Sequence, residues 1–394
     1  MSVVVIGGVV LDVQAHPADA DVQRGSSVPG KVSQVPGGVG RNIAEAAHHL
    51  LNQQQQQQQQ HGVLLVSVVG QDAAADALLA NFKQHGLSTA GIIRSATAST
   101  PCVVAVLDRS GEVAACVADV AAPAAELTPD VVQQHLPAIQ QAGLLVLDAN
   151  LQQQALAAAA QAAAAAGVPV LFEPVSVPKS VRCVPVLQHL TFITPNANEL
   201  LTIAAAVQQQ QHTSSHTGSA ASSNAALQQQ VSLEQASCPQ QLLAQLAPAA
   251  ATVLSQGLKH IILTMGSQGA ALLTMQPQQH HSQQLHRPQS SSSSRSRGRR
   301  QLVAHHIPAA HAAAVVNLSG AGDTLTGGVA AALLRGASLQ EALAVGVAAA
   351  KLAVECSLNV PGPTRGMRYS SVWQQAQQLL GKMQVWEFPA ASAL

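Results

Sequence analysis

The sequence predicts an α/β fold in which helices cover both faces of a mostly parallel central sheet. From residue 144 onward, short apolar segments alternate with longer segments rich in Ala, which is typical of repeated β-α units. Such units place their strands parallel and their helices on the two faces of the sheet. Another group of short β segments, at about residues 13–36 and 97–118, lies outside this alternation and predicts a small β-lid.

The composition limits the classes of protein to which the chain can belong. It has 394 residues, of which 47% are hydrophobic, and a formal net charge of +0. This length is enough for one large α/β domain, with its lid, over residues 1–394. The neutral charge argues against a general nucleic-acid or membrane-surface binder. The sequence contains no unbroken apolar run long enough to predict a transmembrane helix.

Cysteine usage and the two ends of the chain predict a cytoplasmic protein. Five scattered cysteines without a C-x-x-C pair favour a reducing compartment over a disulfide framework or a zinc site. A strand predicted at residues 3–6 leaves no room for a signal peptide. The last three residues, Ser-Ala-Leu, resemble a peroxisomal targeting signal but lack its basic middle residue.

Short runs of aliphatic residues, bounded by glycine, proline or polar residues, predict the strands. The first, at residues 3–6, ends in a pair of glycines and is followed by Asp12. A four-residue turn at residues 108–111 predicts a hairpin between residues 103–107 and 112–117. The remaining strands are predicted at residues 63–69, 144–147, 168–172, 190–194, 261–264 and 312–316.

Longer segments, several of them rich in Ala and Leu, predict helices at residues 43–51, 74–85, 152–166 and 325–335. Gly167 ends the third of them, as glycine commonly does at a helix C-terminus. Stretches rich in Gln, Ser or His interrupt the pattern, and we expect them to be disordered insertions on surface loops. These insertions are predicted at residues 53–60, 208–241 and 276–301.

Residues 317–324, Asn-Leu-Ser-Gly-Ala-Gly-Asp-Thr, give the clearest indication of chemistry. Gly320, Ala321 and Gly322 let backbone N–H groups approach a ligand, and the following helix adds the positive end of its dipole. Asp323 lies beside this anion site. A carboxylate that takes a proton from a hydroxyl, next to donors that stabilise developing charge, favours phosphoryl transfer. The alternative is that Asp323 is only a helix N-terminal residue and the glycines only form a turn.

Polar residues also recur after five of the predicted strands. In open α/β sheets, ligands bind in the crevice at the carboxyl ends of the strands. Any one of these residues fits a simple turn, but five such positions together favour a binding site. The candidates are Asp12, Asn150, Ser176, Lys179, Asn196, Glu199, Thr264, Gly266 and Gly269, together with Gly38 and Asn42 in a glycine-rich loop before a helix.

Four motifs, which follow one another along the chain as they do in the family, resemble those of the ribokinase-like (PfkB-type) carbohydrate kinases. Residues 37–42, Gly-Gly-Val-Gly-Arg-Asn, resemble the first family signature, and residues 319–324 resemble the second. Asn196 and Glu199 resemble the motif that organises Mg²⁺ and phosphate, and residues 264–269 resemble the nucleotide-phosphate loop. The resemblance covers nearly the whole chain outside the insertions. It implies a three-layer α/β/α sandwich with a β-lid that closes over the substrate and also mediates a homodimer.

The resemblance further implies a role for each matching residue. Asp323 would be the general base that takes the proton from the substrate hydroxyl, and the N–H groups of Gly320, Ala321 and Gly322 would form the anion hole. Asp12, Gly38 and Asn42 would hold the ribose hydroxyls, Glu199 with Asn196 would place Mg²⁺ through water, and Thr264, Gly266 and Gly269 would bind ATP.

Within the family, residues 27–32, 36–45, 147–151 and 172–179 resemble those of kinases that act on pseudouridine. This resemblance implies ATP-dependent phosphorylation of the 5′-hydroxyl of that nucleoside. It also implies that Asn150, Ser176 and Lys179 contact the substrate, Ser176 and Lys179 on the side of its base. The alternatives are a kinase for another nucleoside or a free sugar, and a non-catalytic interaction protein built on the same fold.

Two positions depart from the family pattern. Many members have Asp at the position of Asn317, where it helps to bind a monovalent cation such as K⁺. Asn keeps an oxygen ligand there but lacks the charge. Residues 100–102, Thr-Pro-Cys, occupy a lid position at which many members have a bulkier residue, so stacking on the base would be lost.

Overall fold

The computed structural model describes residues 1–18, 25–52, 62–108, 113–215, 236–278 and 300–389. Its strands are β1 (Ser2–Ile6), β2 (Val10–Pro17), β3 (Gly30–Gly37), β4 (Gly62–Val69), β5 (Ile92–Arg94), β6 (Cys102–Leu107), β7 (Val113–Asp119), β8 (Leu144–Asp148), β9 (Val170–Glu173), β10 (Phe192–Ile193), β11 (His260–Thr264), β12 (Ala270–Pro277), β13 (Arg300–Ile307) and β14 (Gln384–Pro389).

Twelve α-helices accompany these strands in the described part of the chain. They are α1 (Val39–Leu51), α2 (Ala73–Gln84), α3 (Ala122–Glu126), α4 (Pro129–Gln134), α5 (Leu136–Gln140), α6 (Gln153–Ala165), α7 (Val177–Ser180), α8 (Ala197–Ser215), α9 (Pro239–Leu254), α10 (Ala321–Leu334), α11 (Leu339–Val354) and α12 (Tyr369–Leu380). Among the described helices, none is long and apolar enough to cross a membrane.

The predicted central sheet is confirmed. Ten strands follow the order β14-β13-β12-β11-β10-β9-β8-β1-β4-β5. The strands from β11 to β5 pair in parallel, whereas β12, β13 and β14 add an antiparallel edge. The parallel strands share one direction, so their carboxyl ends form a common edge of the sheet.

Helices cover both faces of this sheet, so the three-layer α/β/α sandwich is also confirmed. Side chains alternate between the faces along β1, because successive residues of a strand point to opposite sides. Val4 and Ile6 pack in one core with Leu156 of α6, Leu200 of α8 and Leu243 of α9. The opposite core contains Val3 and Val5 together with Ile43 of α1, Val329 of α10 and Val345 of α11. Each of these buried side chains contributes roughly 1.5–3 kcal/mol of hydrophobic stabilisation.

The smaller, lid-like sheet has four strands in the order β3-β2-β6-β7. Strand β2 pairs antiparallel with β3 and parallel with β6, and β6 pairs antiparallel with β7. The β6–β7 pair is the predicted hairpin, although most of its turn, at residues 109–112, lies outside the described residues. Because β2 begins only four residues after β1 ends, the lid is joined directly to the carboxyl edge of the large sheet.

Two predicted strands differ from the structure. Residues 312–316 form a loop instead of a strand, because their backbone donors bond to the end of α11 and not to a neighbouring strand. Val316 N–H donates to the Val354 carbonyl at 2.8 Å, and Ala313 N–H donates to a Glu355 carboxylate oxygen at 2.6 Å. The strand predicted at residues 190–194 is reduced to Phe192–Ile193. Asp12, predicted in a loop after a strand, lies inside lid strand β2.

The edges of two predicted insertions have regular structure, so the interpretation as disordered loops is wrong for these edges. Helix α8 continues through residues 208–215, and helix α9 begins at Pro239. Gln276 pairs with Gln301 where β12 and β13 extend into the third insertion. In each case, the flanking element continues through polar residues because its backbone hydrogen bonds do not depend on side-chain type. Residues 53–60, 216–235 and 279–299 lie outside the described residues.

Candidate active site

The glycine-rich turn before α10 leads directly into the first N–H groups of that helix. Gly320 precedes the helix with φ 78, and a Cβ there would lie 2.2 Å from the Asn359 carbonyl oxygen, so only glycine fits. Thr324 N–H makes the first bond of the helix, to the Gly320 carbonyl at 2.8 Å. The N–H groups of the first helical turn precede that bond, and such groups have no acceptor within a helix. At Gly322 a Cβ would meet no atom within 4 Å, which leaves room for a ligand to approach.

Asp323 lies in the first turn of α10 and contacts α1. Its Oδ2 atom accepts a hydrogen bond from Asn42 Nδ2 at 2.8 Å. Burial raises the pKa of Asp323 to about 6, and the hydrogen bond from Asn42 opposes this shift. A carboxylate with a pKa close to neutral is well matched to accept a proton from a hydroxyl. The structure therefore brings together two residues that are 281 positions apart in the sequence.

The lid contributes Asp12 to the same region. Asp12 Oδ2 accepts a hydrogen bond from Asn359 Nδ2 at 3.3 Å, and burial raises the pKa of Asp12. Asn359 also donates to the Pro36 carbonyl at 3.3 Å, so this side chain links two lid strands, β2 and β3, to the loop that follows α11. Asn359 is not among the site residues predicted from the sequence, because it lies in a short loop outside every motif. Gly38 precedes α1 with φ 95, and a Cβ there would lie 2.5 Å from the Gly8 carbonyl oxygen.

A buried carboxylate at the end of β8 joins the carboxyl end of β1 to the start of α1. Asp148 is fully buried, and its Oδ2 accepts hydrogen bonds from Gly8 N–H at 2.8 Å and from Gly40 N–H at 3.0 Å. Asn150 Nδ2 donates to the same atom at 3.0 Å, and Lys179 Nζ donates to Asn150 Oδ1 at 2.6 Å. Asn150 and Lys179, predicted from separate strand ends, thus meet directly. Asp148 lies within the segment 147–151 but is not among the site residues predicted from the sequence.

The segment between β9 and α7 is strained. Val175 has φ 67, which is a conformation that a β-branched residue rarely adopts. Such strain costs on the order of 1–3 kcal/mol and is found mainly at functional sites. Ser176 follows directly as the residue before α7, and its N–H donates to the Pro174 carbonyl at 2.7 Å. The strained turn leads into α7, from which Lys179 reaches Asn150. Burial lowers the pKa of Lys179.

Asn196 and Glu199 cap the start of α8. Asn196 N–H donates to Glu199 Oε2 at 2.9 Å, and Glu199 N–H donates to Asn196 Oδ1 at 3.0 Å. This reciprocal pair is a capping box, so both residues have a structural task besides the predicted one. Only one carboxylate oxygen of Glu199 is used in it, and burial raises the pKa of Glu199. Thr264, at the end of β11, forms an isolated parallel bridge with Asn196.

The predicted nucleotide loop is a tight turn between β11 and β12. Residues Gly266–Gln268 form a short 3-10 helix, and both glycines have positive φ, 56 at Gly266 and 97 at Gly269. Met265 N–H donates to the Gly269 carbonyl at 2.8 Å. A Cβ on Gly269 would lie 2.1 Å from the Ile307 carbonyl oxygen, so the turn packs against the end of β13.

Glu173 is a further, half-buried acid that is not among the site residues predicted from the sequence. Its Oε2 atom accepts hydrogen bonds from the hydroxyl of Thr194 and, at 3.0 Å, from Thr326 of α10. Burial, together with the negative charges of Asp323 and Glu199, raises the pKa of Glu173 to about 8. Its position at the end of β9 was the signal that could have identified it. Asp323, Glu173 and Glu199 thus form one electrostatically linked group.

These carboxylates offer oxygen ligands of the kind that Mg²⁺ prefers. Among the described residues, no group of three or more His, Cys, Asp or Glu side chains is arranged to hold a metal ion. One or two carboxylates fit Mg²⁺, which usually keeps several waters and is also bound by substrate phosphates. Asn317 Oδ1 accepts a hydrogen bond from Ser319 N–H at 2.9 Å and so stabilises the turn before α10. A monovalent cation beside Asn317 stays a prediction.

Comparison with known proteins agrees with this geometry. Residues 1–362 match the pfkB family carbohydrate kinases. The chain belongs to this family. It is therefore a phosphotransferase with an alcohol group as acceptor, of the ribokinase-like type that acts on sugars or nucleosides. This finding confirms the family resemblance, and with it the enzyme class, and removes the alternative of a non-catalytic interaction protein.

Two curated relatives and one solved structure define the similarity further. The chain is 36% identical over 377 residues to the pseudouridine kinase of Arabidopsis thaliana, with 92% of each chain covered. It is 31% identical over 202 residues to the pseudouridine kinase of Escherichia coli, covering 51% of this chain and 60% of that protein. Arabidopsis thaliana ribokinase, solved with ribose and ATP, superposes with a TM-score of 0.67 at 20% identity, covering 95% of this chain and 98% of that one.

Proposed function

We propose that this kinase transfers the γ-phosphoryl group of ATP to the 5′-hydroxyl of pseudouridine. The observation that carries the reaction is Asp323, a partly buried carboxylate with a pKa of about 6 in the first turn of α10, beside the N–H groups that begin this helix. The substrate is supported by the similarity to the Arabidopsis thaliana pseudouridine kinase along nearly the full length of both chains.

The geometry supports a division of roles across the site. Asp323 accepts the proton of the attacking hydroxyl while Asn42 holds its carboxylate in place. The N–H groups of Gly320, Ala321 and Gly322 stabilise charge on the transferred group. Asp12 and Gly38, where the lid meets α1, bind the ribose hydroxyls together with Asn42. Because β2 joins the lid directly to the carboxyl edge of the large sheet, closure of the lid would exclude water, whose attack on ATP is the competing reaction.

ATP is proposed to bind along the edge formed by the β11–β12 turn and the start of α8. Thr264, Gly266 and Gly269 line this edge, and the bridge between Asn196 and Thr264 joins the two segments. Glu199 and Glu173 would hold Mg²⁺ mainly through its water ligands. When bound, Mg²⁺ would neutralise charge on the phosphates. It would also relieve the repulsion that raises the pKa of Glu173.

Recognition of the base is proposed to depend on Lys179. Its ammonium group is held by Asn150 at 2.6 Å, is half-buried, and follows the strained turn at Val175. An ammonium group donates only, so it would select a carbonyl oxygen of the uracil ring. Pseudouridine and uridine carry the same carbonyls but differ in the atom that joins base to sugar. Because of that difference, the two nucleosides would present different edges of the uracil ring to Ser176 and Lys179.

The test is turnover by the purified protein with ATP and Mg²⁺ against pseudouridine, uridine, cytidine, adenosine, inosine, ribose and fructose. We expect kcat/KM to be highest for pseudouridine. Lys179→Met should reduce kcat/KM for pseudouridine while changing the apparent KM for ATP little. A preference for ribose or adenosine would agree with phosphotransferase activity but would refute pseudouridine as the substrate.

A further inference from the structure

The hydrogen bond between Asn42 and Asp323 requires one orientation of the Asn42 amide. The Nδ2 atom must face the carboxylate, because Nδ2 donates and Oδ1 only accepts. If the amide turned over, Oδ1 would face Asp323, and two acceptors would repel each other. The two orientations have nearly the same shape. Packing alone therefore selects between them only weakly, and a hydrogen-bonding neighbour must decide.

Arg41 is that neighbour. Its Nη1 atom donates to Asn42 Oδ1 at 2.9 Å and to the Pro36 carbonyl at 3.1 Å, and the residue is only 4% exposed. A guanidinium group has five N–H donors and no acceptor, so it can bond only the oxygen end of the amide. We propose that Arg41 is a positioning residue, which fixes the Asn42 amide so that Nδ2 faces Asp323.

The fixed position of Arg41 depends on Glu45, one helical turn further along α1. Arg41 Nη2 forms an ion pair with Glu45 Oε2, and His49 Nε2 lies 3.3 Å from Glu45 Oε1. Burial alone would raise the pKa of Glu45, but Arg41 and His49 hold it below its ordinary value. A continuous polar path therefore runs along one side of α1, through His49, Glu45, Arg41 and Asn42, to Asp323.

A purely stabilising role explains this path poorly. A buried ion pair is often no more stabilising than apolar residues of the same volume, because both charges lose their hydration. Fixing an amide that would otherwise have two orientations is a benefit that apolar residues cannot provide. The nearby positive charge of Arg41 also opposes the rise in the pKa of Asp323. Loss of Arg41 should thus raise the pKa of Asp323 in two ways.

The inference rests on the proposed role of Asp323 as the base, and it is tested with a pair of matched arginine variants. Arg335 also anchors α1, since its Nη2 atom donates to the carbonyls of Leu50 and Leu51 at 3.1 and 3.0 Å, but it does not contact Asn42. Arg41→Met should lower kcat at neutral pH on the order of tenfold to hundredfold. It should also move the acidic limb of the pH profile of kcat/KM to higher pH. Arg335→Met should leave that limb in place at a comparable melting temperature.

A double-mutant cycle separates positioning from a general loss of stability. In an Asn42→Ala background the amide is absent, so Arg41→Met should change kcat/KM much less than it does in the wild-type background. If Arg41→Met does not fold, the same cycle is measured with Arg41→Lys, and the same direction is expected. Equal effects of the arginine variant in both backgrounds, or an unmoved acidic limb, would overturn the positioning role.

A measurement without turnover separates this inference from the proposed function. The pKa of Asp323, followed by carbon NMR of protein labelled at its aspartate carboxyl groups and assigned with Asp323→Asn, should be higher in Arg41→Met than in the wild type. An inactive wild-type protein with this pKa difference would refute the proposed function and retain the positioning role. An active wild-type protein without the difference would refute the positioning role alone.

Discussion

At the scale of single residues, the site depends on acids whose environments disfavour their charge. Asp323 must be ionised to accept a proton, and its pKa is raised from 3.8 to about 6. Activity should therefore be complete above the pKa of about 6 and should fall as the pH decreases through it. The pH profile of kcat/KM for the free enzyme measures this limb. A profile that stays flat down to pH values near 4 would show that another group is the base.

Asp323→Asn should remove the base without disturbing the fold, because the amide keeps the size and one acceptor of the carboxylate. Loss of a general base lowers rates by roughly 100- to 10,000-fold. We expect kcat to fall within that range while the circular dichroism spectrum and melting temperature change little. Normal turnover by this variant would refute the assignment, and Asp130→Asn, at the start of distant helix α4, is a control with the same chemical change.

Glu173 should make stability depend on pH in the opposite sense to most acids. Its pKa is raised from 4.5 to about 8, so the folded state binds the proton more tightly than the unfolded state. The stabilising effect of that proton is complete below pH 4.5 and is lost as the pH rises through about 8. In the absence of Mg²⁺, we therefore expect Glu173→Gln to gain stability relative to the wild type as the pH rises. The difference in the free energy of unfolding between variant and wild type should increase by a few kcal/mol from low to high pH, on the order of 1.4 kcal/mol per pKa unit at most. Urea unfolding at several pH values gives this difference, and a constant difference would contradict the prediction.

Several residue-scale features could be predicted from the sequence, and others could not. Short motifs, whose chemistry can be inferred from neighbouring residues alone, contain Asp323, Asn42, Glu199 and Gly320. The role of Asn359 depends on contacts with distant segments, and that of Arg41 depends on the orientation of the Asn42 amide. Neither property produces a pattern in the local sequence. The position of Glu173 at a strand end could be predicted from the sequence. Its raised pKa could not, because it depends on burial and on the nearby charges of α10 and α8.

At the scale of elements, we expect the two glycines at the start of α10 to differ in role, Gly320 being structural and Gly322 functional. Gly320→Ala introduces a Cβ 2.2 Å from the Asn359 carbonyl oxygen at a positive φ, so this variant should lower the melting temperature. Gly322→Ala meets no protein atom within 4 Å and should leave the melting temperature nearly unchanged. Its Cβ would occupy space next to the transferred group, so kcat should fall. Equal melting temperatures for the two variants, or an unchanged kcat for Gly322→Ala, would contradict this division.

Prediction at the element scale succeeded where apolar pattern and burial agree. The strands at the sheet centre, such as β1 and β8, are continuous apolar runs because both of their faces are buried. Residues 312–316 have the same apolar pattern but form an exposed loop, with Val315 69% exposed. The difference lies in tertiary partners, since the end of α11 satisfies the backbone donors there. The extension of α8 into a Gln-rich stretch was not predicted, because the composition of that stretch alone indicates disorder.

At the scale of the whole molecule, the lid sheet leaves an apolar edge uncovered. Its outer strand β7 is exposed along its full length, with Val113 62% and Val117 73% exposed, and on the opposite edge strand, β3, Val32 is 67% exposed. An exposed strand edge with apolar side chains favours pairing with another chain. We therefore expect a homodimer in which the lids of two copies associate.

Val117→Lys should disrupt this association, because it places a charge in an apolar contact between the two lids. Light scattering coupled to gel filtration should show a dimer for the wild type and a monomer, or a dimer that dissociates on dilution, for the variant. Val315→Lys is the matched control, since Val315 is also largely exposed but lies outside the lid, and it should remain dimeric. Because Asp12 reaches the site from β2, two strands away from β7, a loosened lid should raise KM for the nucleoside more than KM for ATP. A wild-type protein that is monomeric at every concentration would refute the dimer.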